Sequence, residues 1–426
     1  MKNRWLIAAS AVGIHISIGS VYAWSVVTKP MMAELGWSLK SVSLTFSIAI
    51  LFLGLSAAFF GHFVESRGPR AAGTLAAILF GIGLIGSGLA IQLKMLPLLY
   101  IMYGAIGGMG LGIGYITPVS TLIKWFPDKR GLATGMAIMG FGFAALIAGP
   151  VMQKTIETLG LAPMFYILGG VYFTLMFASA QYLEPPPEGW LPKNFQGTGD
   201  APAKKLKEDI ANLTANEAIK TLRFYYLWLM LFINVTCGIA IISVASPLAQ
   251  EATGMTAIAA ATMVGLMGLF NGLGRIGWSS LSDVIGRPVV WVIFFLIQIA
   301  AFFVLPNISQ ALMFQVVLFL ILTCYGGGFA SVPAYISDIF GTKQVSAIHG
   351  YILTAWAAAG LAGPMFAAWV RESTQSYTKT LYVFGGLFVL ALVVSLLLIA
   401  DIKRIRSSKD KTKTIPAPSQ RMAEEV

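Results

Sequence analysis

The chain is written in long apolar runs separated by short polar stretches. Twelve of these runs have the length of a membrane-crossing helix, about 20 residues. They cover residues 5–27, 40–61, 71–92, 97–123, 132–153, 163–183, 224–249, 257–281, 288–306, 310–336, 345–370 and 377–400. One polar stretch is much longer than the others and falls near the middle of the chain. The pattern therefore predicts an all-α membrane protein built as two six-helix bundles. Its parts are an N-terminal bundle over 1–183, a central loop over 184–222, a C-terminal bundle over 223–402 and a basic tail over 403–426.

Composition sharpens this picture. Of 426 residues, 57% are hydrophobic and 11% charged. The first run lacks the small-residue cleavage site of a signal peptide and reads as a spanning helix. The net charge of +11 does not point to nucleic acid, because the basic residues sit in loops and tails. With both termini placed in the cytoplasm, cytoplasmic segments hold 22 lysines and arginines against 6 on the other side, the bias that sets membrane orientation. The tail beyond 403 reads as an anchor near anionic lipid, and 204–221 could form an amphipathic surface helix. Cys237 and Cys324 both lie in predicted helices, so neither a disulfide nor a metal site is expected, and no cofactor is implied.

One residue breaks the pattern. Arg275 lies well inside the run 257–281, the only lysine or arginine so placed. An arginine at mid-membrane costs about 2.5–3.5 kcal/mol on insertion scales, a cost met where it faces a wet cavity and an anion. No built-in counter-ion is available, since all 18 acidic residues fall in loops, tails or span ends. Asn271, one turn earlier, shares the face of Arg275. The unpaired cation predicts an anionic substrate, and a planar guanidinium fork suits a carboxylate held at two points.

The two halves also repeat each other. After the second run the chain reads GHFVESRGPR (61–70), and after the eighth SSLSDVIGR (279–287). In both, an acid is followed three residues later by glycine and then by arginine. A second pair, WFPDKRG (125–131) and DIFGTK (338–343), follows runs four and ten. Twelve runs, a long central loop and this duplicated motif resemble the major facilitator superfamily, over essentially the whole chain. The resemblance implies alternating access between the bundles around a site near the midplane, with runs 1, 4, 7 and 10 prominent in its walls. It also implies that Glu65, Arg67, Arg70, Asp283 and Arg287 link helices on the cytoplasmic side and bias the outward-open state. The first copy departs by using Glu where the family has Asp, and both copies carry Pro where a basic residue is frequent.

Those runs offer a definite set of polar groups. Run 1 has His15, Ser17, Ser20, Tyr22 and Trp24, with His15 and Tyr22 seven apart on one face. Run 4 is dense in glycine, which suits close packing and bending, and continues into Tyr115 and Thr117. Run 7 brings Asn234, Thr236 and Cys237; run 10 brings Tyr325 and Phe329, one turn apart. Trp356 in run 11 is a candidate wall with Phe329. The candidate substrate contacts are Arg275, Asn271, Tyr115, Tyr22, Tyr325, Phe329 and Trp356. Packing is an equally open role for the tyrosines. His15, Arg275 and Asn271 are the candidates for proton coupling, and His15 could equally serve only as a hydrogen-bond partner.

A narrower resemblance rests on GSVYAWS (19–25), WFPDKRGLATG (125–135) and NGLGR (271–275). These are similar to the oxalate/formate antiporter family, related to the monocarboxylate transporters, and most of all to bacterial lactate transporters of that type. The resemblance implies that Arg275 binds the substrate carboxylate. In animal monocarboxylate transporters an aspartate one turn earlier pairs with this arginine and shares in proton coupling; here the position is Asn271. The dicarboxylate exchanger carries a lysine in run 11, and YILTAWAAAG (351–360) has none. The expectation is proton-coupled symport of a small monocarboxylate such as L-lactate or pyruvate across a bacterial cytoplasmic membrane, by a protein complete as a monomer. Obligate carboxylate exchange is the alternative. An enzyme is not expected, because no buried His pairs with Asp, Cys or Ser in a catalytic pattern, and no sizeable soluble domain supports a sensor.

Overall fold

The structure, a computed structural model, describes residues 2–192 and 209–413. Its helices are α1 (Arg4–Ile18), α2 (Ser25–Leu35), α3 (Leu39–Gln92), α4 (Leu96–Leu99), α5 (Gly108–Trp125), α6 (Arg130–Leu159), α7 (Leu161–Tyr182), α8 (Ala215–Ala218), α9 (Leu222–Thr253), α10 (Ala257–Ile285), α11 (Arg287–Val304), α12 (Ala311–Phe340), α13 (Val345–Thr374) and α14 (Thr378–Lys413). Among the described residues, ten helices are long and apolar enough to cross a membrane.

The 54 residues of α3 contain two predicted runs, and the backbone leaves helical geometry between them. Gly68 has φ 80° and ψ 166°, a conformation open to glycine and costly for other residues, and Pro69 then starts the next leg. The repeat motif behaves alike in its second copy, where Gly286 has φ 93° and Pro288 opens α11. The two copies are thus equivalent in backbone as well as in sequence.

Two predicted runs are not uniformly α-helical. The first passes through a 3-10 turn at Gly19–Ala23, where any Cβ on Gly19 would collide with the Phe141 backbone. The fourth begins as a π-helix over Tyr100–Gly107, where the chain presses against α3. In the central loop, the amphipathic helix expected over 204–221 is corrected as far as it is described. Residues 204–208 lie outside the described residues, and the rest holds only α8. Instead Ile210 N–H donates to Asp338 O at 2.9 Å and Leu213 N–H to Phe340 O at 2.8 Å. These bonds to the end of α12 take the donors a local helix would need. A capping box between Thr214 and Glu217 starts the short turn, and its hydrogen bonds from the Thr214 backbone and hydroxyl hold the Glu217 carboxyl below its usual range.

Contacts between the two halves of the chain follow small residues. A Cβ on Gly142 of α6 would stand 3.0 Å from Gly272 Cα and 3.2 Å from Arg275 Nε of α10. Along α3 and α13, Gly61 meets Ala347 and Gly350 meets Ala57. Without side chains between them the backbones approach closely, as in helix pairs that have no hydrophobic drive to associate in lipid.

Candidate substrate site

Arg275 is completely buried and sits where the halves meet. Its Nε donates to Asn271 Oδ1 at 3.1 Å along the same face of α10. Its Nη1 donates to Ile138 O of α6, in the other half, at 3.3 Å. Its Nη2 is buried with no partner. The guanidinium lies between two rings, 5.6 Å from Phe141 and 5.5 Å from Phe329, close enough for cation–π attraction. Among the described residues no carboxylate pairs with it.

The other predicted contacts gather around this charge. Tyr115 packs on Trp356 at 5.4 Å and on Phe141 at 5.6 Å. Phe329 bridges Trp356 at 4.7 Å and Tyr325 at 5.3 Å. Tyr22 packs edge-on against Phe141 at 4.9 Å, and its hydroxyl lies within electrostatic reach of Arg275 and Tyr325. The hydroxyls of Tyr22, Tyr115 and Tyr325 are all buried and unbonded, as are Trp356 Nε1 and His15 Nε2. Buried polar atoms are normally satisfied. The three tyrosine hydroxyls and Trp356 Nε1, gathered with one free guanidinium nitrogen, are donors with the chemistry to bind an anion. The seven predicted substrate contacts therefore fall together.

Other candidates are placed differently. Asn234 accepts from Gln298 Nε2 at 2.9 Å and donates to Tyr325 O at 3.4 Å, so it fastens α9 to its own half. His15 Nδ1 bonds to Ala11 O at 3.1 Å, within its own helix, and its ring lies 5.3 Å from Tyr115. Cys237 and Cys324 are buried free thiols. Phe141 and His349 belong to the cluster but were not singled out from the sequence. Phe141 sits in a glycine-rich stretch, where nothing distinguishes a site ring from packing. His349 was visible as a histidine in an apolar run, yet it lies only one turn from the start of α13. Its ring is 5.9 Å from Tyr115.

The end of the molecule bearing the duplicated motif is bolted shut by reciprocal caps. Asp283 of the second half accepts from Gly131 N–H and Leu132 N–H, both at 2.9 Å, at the start of α6. Glu65 of the first half accepts from Ser346 N–H at 2.8 Å, at the start of α13, and pairs with Lys124 at 2.8 Å. Carboxylates at helix N-termini are favoured by the free N–H groups and the helix dipole. Arg287 pairs with Asp283 at 2.7 Å and Asp338 at 3.5 Å. Arg130 crosses the halves to Asp338 at 3.3 Å and holds the central-loop Asp209 at 2.5 Å. Among the described residues Arg70 reaches Glu184 in its own half, at 3.8 Å, and Arg67 is exposed. Two turns from Arg275 on the same face of α10, Gly268 has no neighbour within 4 Å of a built Cβ.

The chain belongs to the major facilitator superfamily, whose profile matches residues 10–364 and again 227–423. It is a multi-pass membrane transporter and not an enzyme. Among similar proteins, the oxalate:formate antiporter of Oxalobacter formigenes is 28% identical over 85% of this chain and 84% of its own length. Apicoplast pyruvate carrier 1 of Toxoplasma gondii is 25% identical, over 61% of this chain and 57% of the carrier. In structure, the superfamily transporter FucP in its outward conformation aligns with a TM-score of 0.71 at 12% identity, covering 92% of this chain and 98% of that one.

Proposed function

We propose that this protein moves a small monocarboxylate, such as L-lactate or pyruvate, together with a proton across a bacterial cytoplasmic membrane by alternating access. Counting the two legs of α3 separately, with α10 as a further crossing, gives the twelve-span plan of two six-helix bundles. The motif end is then cytoplasmic, as its basic loops require, and both termini lie inside. The observation that carries the reading is Arg275, a buried cation with one unbonded nitrogen, ringed by unbonded tyrosine hydroxyls. A carboxylate engages Nη2 and draws Nη1 from Ile138 O, while Tyr22, Tyr115 and Tyr325 donate to its oxygens. The aromatic walls, Phe329 and Trp356 foremost, take a short apolar tail. Among the described residues no second lysine or arginine joins Arg275 within the aromatic cluster, which favours one negative charge over two.

Uptake of labelled L-lactate into proteoliposomes, against a panel of mono- and dicarboxylates and with Arg275→Ala as control, tests this reading. Normal transport by that variant would sink it. Similarity to an oxalate:formate antiporter favours a second reading, obligate exchange, since an empty carrier with an unpaired arginine returns slowly. Preloading separates the two, because an exchanger needs an anion inside and a symporter does not.

A further inference from the structure

The donors around Arg275 account for an anion and leave the proton without a seat. Among the described residues no carboxylate is buried with the cluster, and the buried side chains of the type whose unperturbed range lies near neutral pH are two imidazoles, His15 and His349. They come from opposite halves, on α1 and α13, and both lie against one ring: His15 is 5.3 Å and His349 5.9 Å from Tyr115 between centroids. His15 Nε2, both ring nitrogens of His349 and the Tyr115 hydroxyl are all buried and unbonded. A histidine retained only for packing satisfies its ring N–H on a nearby carbonyl; His349 does not.

The surroundings of His349 give the pair a direction. From α3, Glu65 caps Ser346, three residues before His349, and His62 packs 5.8 Å from Tyr351. From α5 come Tyr115 and, further toward the motif end, Lys124 on Glu65. From α1 comes His15, within electrostatic reach of His349; Arg275 of α10 acts on His15 in the same way. His349 thus stands between the aromatic cluster around Arg275 and the charged cap of the motif end.

We propose that His15 and His349, both packed against the Tyr115 ring, hold the co-transported proton and pass it toward the motif end. This rests on the proton-coupled reading above. An imidazole lone pair takes a proton from hydronium arriving with the carboxylate, forming N–H as the hydronium O–H breaks and leaving neutral water. On release the N–H proton returns to water at the motif end, and nothing is oxidised or reduced. Arg275 repels a second positive charge at His15, and a carboxylate bound to Arg275 cancels that repulsion. Anion and proton therefore favour each other's binding by linkage. Two imidazoles against one ring also repel each other's protons, so the pair titrates as a unit and carries one. Loaded and empty sites then have the same net charge.

The test uses the full chain in proteoliposomes with labelled L-lactate. One assay measures lactate exchange at equal pH; the other measures accumulation under a one-unit pH gradient, which drives about tenfold accumulation for one proton per carboxylate. Glutamine keeps a polar group at the position but takes no proton. His349→Gln should bring gradient-driven accumulation down to simple equilibration, a larger loss than the one it causes in exchange at equal pH. Wild-type accumulation by His349→Gln overturns the proposal. So does a variant that is still stabilised thermally by lactate yet loses both assays together, the mark of a structural role. A second measurement needs no variant: lactate added to unbuffered wild-type protein near pH 7 should draw up to one proton from solution, and no proton uptake refutes the pair. A wild-type protein that neither binds nor moves lactate defeats the substrate reading instead.

Discussion

At the scale of single residues, the site is a balance between one charge and the groups left unbonded around it. Arg275→Lys keeps the charge and loses the planar fork. Losing a charged hydrogen bond is worth about 1.5–3 kcal/mol, so kcat/KM for lactate should fall at least tenfold, read from initial uptake rates. Tyr325→Phe removes one neutral donor, worth about 1 kcal/mol, and should raise the apparent KM about fivefold. Asn271→Asp is the most informative change. The new carboxylate would pair with Arg275 and compete with the substrate until protonated, so uptake should be suppressed at neutral pH and recover as pH falls through the carboxylate range. A flat pH profile for that variant would show that the aspartate never meets Arg275. Arg275 was legible in the sequence because a charge in an apolar run has no inexpensive explanation. Phe141 was not, because an aromatic ring in lipid-compatible sequence is ordinary.

At the scale of elements, the contacts depend on missing side chains and borrowed caps. A Cβ on Gly272 meets the Phe143 ring, so Gly272→Leu should hold α6 and α10 apart and abolish turnover while leaving the protein membrane-inserted, as fractionation and uptake together would reveal. Asp283→Asn weakens the cap of α6 by about 1 kcal/mol. Spin labels across α6 and α10 at the motif end should then report a larger open fraction. The apolar periods gave the helices and their order and a break between runs 40–61 and 71–92; that the break is a kink at Gly68 inside α3 was not read from the motif. The π-helix at Tyr100–Gly107 and the 3-10 turn at Gly19–Ala23 were illegible because partners far along the chain impose them: α3 on the one, the backbone of Phe141 on the other.

At the scale of the whole molecule, the central loop is more than a tether. Arg130 joins the first half to Asp209 of the loop and to Asp338 of the second half, and the loop backbone is pinned to α12 nearby. Arg130→Gln should lower hydrogen-exchange protection at the Ile210 and Leu213 amides without altering that of the helix interiors; unchanged protection would mean the ion pairs do not hold the loop. The sequence divided the chain into halves but could not show this seam, because Asp209, Arg130 and Asp338 are far apart in the chain. The reciprocal caps reach further still. Glu65 finishes a helix of the second half, and Asp283 finishes one of the first, so neither half supplies the missing bonds at its own seam. Produced as two separate polypeptides, the halves should each be defective and prone to degradation, and should regain uptake only when made together, each completing the other.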